Sequence, residues 1–155
     1  MLFRIAVVLL VIFIIFTFVL GFFRVPDGSM APAIHEGDIM LGYRLNKSYN
    51  AGDLTAVKYE DKELVLRVVA VAGDTVAINE QGLVINGNYH VNNYSSEHTY
   101  AIKGDVSYPI TVGEDEVFLL GDAREHSTDS RVFGPVKIDS TEGQMISLLL
   151  RRTNL

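Results

Sequence analysis

The chain opens with a run from Ile5 to Phe23 that holds no charge and no proline, broken only by Thr17 and Gly21. Beyond Arg24 the pattern changes to short alternations of apolar and polar residues, bounded by Gly, Asp and Asn. The first pattern predicts one helix: about 19 residues at 1.5 Å each cover roughly 29 Å, close to the roughly 30 Å hydrocarbon core of a bilayer. A cleaved signal peptide is the competing reading. It needs a shorter apolar stretch and a small-x-small site, which "VLG" matches poorly. The division predicted is a transmembrane anchor over 1–23 and a single domain over 24–155.

In the second part, "DIMLGYRL" (38–45), "LTAVKY" (54–59), "ELVLRVVAVA" (63–72), "TVAIN" (75–79), "GLVIN" (82–86), "EVFLL" (116–120) and "MISLLL" (145–150) read as strands. Asn86-Gly87 is the dipeptide that a two-residue type I′ hairpin prefers, and "NEQG" at 79–82 is a second turn. Strands follow one another too closely for crossover helices, so the expected fold class is mostly β with an antiparallel sheet. The polar stretch from Asn92 to Tyr108 reads as a surface loop, and "LLLRRTNL" as a last strand with a frayed end.

Charge and composition then exclude several functions. Only Arg4 is charged before Arg24, so the remainder holds 12 of the 13 basic residues and all 19 acidic ones, a net charge near −7. That argues against nucleic acid or an anionic lipid surface as partner. Cysteine is absent, and the four histidines (His35, His90, His98, His126) show no ligand spacing, so neither a metal nor another cofactor is expected. Arg4 and Arg24 flank opposite ends of the apolar run, and under the positive-inside rule they oppose each other.

Candidate chemistry begins at "VPDGSMAPAIHEGD" (25–38), where Ser29 sits in a glycine-softened turn. A serine hydroxyl is a nucleophile at neutral pH only if a base takes its proton. Taken with "GDIML" (37–41), "LRVVAVAGDTV" (66–76) and "GDAREHSTDSRVFGPV" (121–136), the S-M-x-P of Ser29, Met30, Ala31 and Pro32 resembles the membrane-bound type I signal peptidase family over nearly the whole chain. The resemblance implies a β-rich domain on the outer face of the plasma membrane, the amino terminus cytoplasmic, acting on exported preproteins by cutting signal peptides after small residues. It puts the nucleophile at Ser29, beside Met30. It also places Ser127, whose hydroxyl would bond the base, and Asp129 and Arg131 next to the active site; for the last two a salt-bridged loop is the main role expected.

The family's base, a lysine (histidine in one branch) before the arginine of the "RVV" strand, falls at Leu66 in this sequence. A lysine of reference pKa about 10.4 serves as base only where burial disfavours its ammonium form, so leucine keeps the apolar filling and removes the proton acceptor. Substitutes are few. Lys62 is four residues away, roughly 13 Å along a strand; His126 points to the face opposite its neighbour Ser127 if that stretch is extended; His35 lies six residues beyond Ser29. Asp27 stands where the family carries serine or glycine near the oxyanion hole. Either its carboxylate opposes the developing charge, or it turns to cap the loop through the backbone. Ala72 and Ala123 replace the family's usual proline and asparagine.

Three functions follow from the resemblance. The first is a base-lacking relative that binds exported or surface (pilus-type) proteins without cutting them, as some relatives do in pilus assembly. The second is a working serine endopeptidase with its base supplied by His35, by water or by a partner. The third is an anchored β domain whose likeness is historical only.

Overall fold

The computed structural model describes residues 1–90, 94, 97–104 and 106–151. Helix α1, Leu2–Ile14, continues as one π-helical turn, Ile15–Val19, and the 18 residues Leu2–Val19 are apolar enough to cross a membrane, with none of that span buried by the rest of the chain. This fits a single-pass membrane protein.

The expected helix through Phe23 ends early. At Leu20 the backbone turns extended (φ −111°, ψ 153°), and Leu20–Arg24 forms strand β1. The reason is a local packing arrangement that a continuous apolar run conceals. Gly21 lies opposite Gly42 of strand β2 (Ile39–Tyr43), and a Cβ on either glycine would come within 2.6 Å of the Phe23 ring. The two glycines form a trough that only their missing side chains leave open, and Phe23 fills it, 2% exposed. Phe22 and Arg24 face outward, giving the period of two proper to a strand.

The remaining strands are β3 (Leu54–Tyr59), β4 (Lys62–Ala70), β5 (Thr75–Asn79), β6 (Gly82–Ile85), β7 (Asn88–Tyr89), β8 (Ile110–Thr111), β9 (Glu116–Leu120), β10 (Val136–Lys137) and β11 (Thr141–Leu150), with a short helix α2 (Ser130–Phe133) before β10. Every pairing is antiparallel: a seven-stranded sheet in the order β1-β2-β11-β3-β4-β9-β10, and a four-stranded one in the order β7-β6-β5-β8. Asn86 and Gly87 both take positive φ (53° and 78°), as a type I′ turn requires. The seven predicted strands all form. The short strands β7, β8 and β10 carry too few residues to show a period, and β8 begins just beyond the loop expected over 92–108, part of which lies outside the described residues.

Strand β4 is buried on both faces, which is why it reads from Leu64 onward as an apolar run broken only by Arg67 rather than as an alternation. Val65 joins Phe23, Val25, Met30, Ile34, Met40, Ala56 and Met145 in one cluster. Leu64, Leu66 and Val68 pack on the other face with Tyr49, Val57, Val117 and Leu119. A third cluster, built on Val69, Val76, Leu83, Val112 and Phe118, joins the two sheets. Within the first register shift of β11, between Thr141 and Gln144, Gly143 takes φ 98°, and a Cβ there would meet the backbone oxygen of Tyr43 and stand 2.6 Å from Arg44 Cα. Gly143→Ala should therefore cost about 2 kcal/mol or more, because the strained φ and the backbone collision act together; thermal unfolding in detergent measures it.

Candidate active site

The loop between β1 and β2 is closed at its base by Val25 N donating to Asp38 O (2.9 Å) and Gly37 N to Val25 O (2.8 Å). Inside it, Met30 is fully buried in the cluster of Val65 and Phe23, so its side chain anchors the turn to the sheet. Ser29 follows it inward and is 1% exposed. Each polar group of Ser29 is engaged. Its N–H donates to Asp27 Oδ1 (2.9 Å), its hydroxyl to Val65 O (3.5 Å), and its carbonyl accepts from Ala123 N (2.9 Å). The bond to Val65 is long enough to be weak. The half-buried Asp27 carboxylate closes an Asx turn on the amide of Ser29.

The opposite wall is the segment after β9. Gly121 passes so close that a Cβ on it would collide with Ser127 Oγ and lie 2.7 Å from the carbonyl oxygen of Ser29. That contact brings Ser127 beside Ser29. The segment is held by a buried charge network. Asp129 Oδ1 and Oδ2 each accept from the Arg131 guanidinium at 2.9 Å; Asp129 also accepts from Gly121 N and Arg131 N (3.1 Å each), so one carboxylate caps α2 and fixes the Gly121 amide. Arg131 donates to Arg124 O (2.5 Å), while Arg124 donates to Gly121 O (2.7 Å) and to the Thr99 hydroxyl. Burial, and next the Arg131 charge, lower the pKa of Arg124; Asp129, Asp122 and Glu97 oppose the shift. Alongside, Asp122 and Arg67 form a two-bonded pair (2.8 and 2.6 Å), with the guanidinium 3.7 Å from the centre of the Tyr94 ring.

Leu66 is fully buried, on the face of β4 opposite Val65, among Val57, Leu64, Val117 and Leu119. Ser127 Oγ is buried and has no hydrogen-bond partner among the described residues. The three substitute bases, Lys62, His35 and His126, are all exposed, and none hydrogen-bonds Ser29. Ala72 is exposed in the β4–β5 turn, whereas Ala123 uses its backbone N–H, not its side chain, to hold Ser29. Among the described residues no group of His, Asp or Glu is placed to hold a metal.

Sequence reasoning missed Arg124, Thr99 and Tyr108. Arg124 lay inside a quoted motif, but its role depends on Thr99, which a stretch of apparent loop separates from it. The Tyr108 hydroxyl is buried, unpartnered among the described residues and within electrostatic reach of Asp129 and Arg131. Burial, reinforced by Asp129 and opposed by Arg131, raises its pKa to about 12.

Several comparisons with known proteins agree. The family profile described as "Signal peptidase, peptidase S26" matches residues 1–150. Signal peptidase I of Bacillus licheniformis is 30% identical over 121 residues, covering 70% of this chain and 64% of that protein. The mitochondrial ATP-independent inner membrane protease subunit 1b of Arabidopsis thaliana is 31% identical over 135 residues, covering 82% and 69%. The crystal structure of a signal peptidase I from Enterococcus faecalis superposes with a TM-score of 0.50 at 28% identity, covering 65% of this chain and 99% of that one. The chain thus spans a little under two thirds of the Bacillus licheniformis protein's length.

Two predictions follow from the site's charges. Asp129→Ala strands a buried guanidinium and should lower the unfolding free energy by about 3–5 kcal/mol, measured by urea unfolding in detergent. Tyr108 ionises near pH 10 when unfolded but only near 12 when folded. The folded state therefore holds the extra proton in that window, and this contribution to stability is full below pH 10 and lost as pH rises to about 12. Tyr108→Phe should flatten that alkaline decline relative to the parent protein, seen in melting temperatures across the range.

Proposed function

The chain belongs to the S26 signal peptidase family, and from that membership we propose that it is a membrane-anchored relative that holds exported polypeptide segments without cutting them, Ser29 standing at the nucleophile position and Leu66 at that of the base. The observation that carries this is the environment of the Ser29 hydroxyl. Among the described residues its one hydrogen bond runs to a backbone carbonyl, which accepts a proton in a bond but cannot remove it. The apolar pocket around Leu66 is the kind that would lower the pKa of an amine enough to make it a base. It supplies no amine. The unpartnered Ser127 hydroxyl fits the same reading, since it stands at the family position that bonds the base.

In this proposal the amino terminus is cytoplasmic and the β-rich part lies outside the plasma membrane, at the bilayer surface where exported segments emerge. Proximity does the rest. The turn that bears Ser29 begins directly after β1, itself continuous with the membrane helix, so a membrane-inserted segment meets it without a three-dimensional search. The segments held are those of exported or surface proteins, pilus-type subunits among them, as extended strands recognised through backbone hydrogen bonds.

Purified protein in detergent should give no cleavage of a preprotein with an Ala-x-Ala site from neutral to alkaline pH, and Ser29→Ala should crosslink to the same exported segment as the parent does. Cleavage that disappears in Ser29→Ala would replace this reading with an active endopeptidase. Absence of crosslinking in both proteins would remove the binding role.

A further inference from the structure

We infer that Asp27 is a second block on Ser29, separate from the missing base: its carboxylate occupies the backbone amide that a tetrahedral oxyanion at this serine would need. The inference rests on the reading of Ser29 as the nucleophile position. In acyl transfer at serine, the N–H of the nucleophile commonly supplies one of the oxyanion donors, with the anionic oxygen 2.7–3.1 Å away. Here an anionic oxygen of the protein itself, Asp27 Oδ1, already stands 2.9 Å from Ser29 N. A substrate oxygen reaching that amide must displace the carboxylate or develop its own charge beside it, so a donor is lost and a like charge is added.

The geometry is local and self-sufficient. Asp27 and Ser29 are two residues apart, and Gly28 between them is exposed, with open space where a Cβ would be. Nothing packed against Gly28 forces the contact. The other ties of Ser29, its carbonyl to Ala123 N and the burial of Met30, do not involve Asp27, so the turn keeps its anchors when the carboxylate is removed. The two blocks act on different quantities, Leu66 on proton removal and Asp27 on oxyanion charge. Relieving one leaves the other. Asp27 is thus a positioning residue that acts through the amide of Ser29.

Full-length parent protein, Asp27→Gly, Leu66→Lys and the double variant, each with a Ser29→Ala blank, are assayed in detergent on an Ala-x-Ala peptide. The parent and Asp27→Gly should match their blanks. Leu66→Lys should turn over at least about 100-fold more slowly in kcat than the double variant, at similar KM, the scale of one lost oxyanion donor. Near-equal kcat for Leu66→Lys and the double variant overturns the assignment. Turnover by Asp27→Gly alone, lost with Ser29→Ala, would instead remove the missing-base reading and leave Asp27 as assigned.

A binding measurement stands apart from turnover. The peptide is ended at its second alanine, once as a free carboxylate and once as a carboxamide, and titrated calorimetrically. Asp27→Gly should tighten the carboxylate peptide about tenfold or more and change the carboxamide less than twofold, while Asp27→Asn, which keeps an oxygen on the amide, gains less than Asp27→Gly. Equal gains for the two peptides, or none, overturn the assignment whatever the kinetics.

Discussion

The architecture around Ser29 depends on one desolvated carboxylate. Asp129 is wholly buried, and removing an ion from water costs several kcal/mol unless its lone pairs are filled. Here they are filled four times over, by two guanidinium nitrogens of Arg131 and two backbone amides. Because one of those amides belongs to Gly121, the ion pair sets how near the segment after β9 comes to the turn that bears Ser29. Because another begins α2, it also sets the direction in which the chain leaves. The pair is a framework for positioning first, and stability is the by-product.

On that framework the two serines are brought together, each lying against the position a Gly121 side chain would take. A strand buried on both faces admits only residues that match each face, and Leu66 matches its own: it is as well packed as Leu64 and Val68 beside it. Leucine at this position therefore leaves no packing defect. Among the described residues the buried Ser127 hydroxyl has no hydrogen-bond partner, and the Ser29 hydroxyl donates to a backbone carbonyl.

The membrane junction shows a related economy. Helix, π-helical turn and edge strand follow one another without a linker, and Phe16 stacks on Phe22 at 5.5 Å across the change of structure. The β-rich part is thus held close to the span.

Period and turn chemistry determined much of this protein from sequence alone. Short apolar stretches bounded by turn residues marked seven of the strands, Asn86-Gly87 marked a hairpin, and a charge-free run marked the span, because each signal is carried by neighbours in the chain. The apolar run hid its own boundary. Leu20–Arg24 is strand rather than helix owing to Gly42 and Met145, which are distant in sequence, so hydropathy had no means of registering them. The motifs around Ser29, Leu66, Ser127, Asp129 and Arg131 were legible as a set, but not the orientation of Asp27, the reach of Arg124 to Thr99 or the burial of Tyr108. A carboxylate's effect depends on which donor it faces, and a hydroxyl's on what covers it. Tertiary structure alone decides those, since both are properties of surroundings assembled from separate parts of the chain.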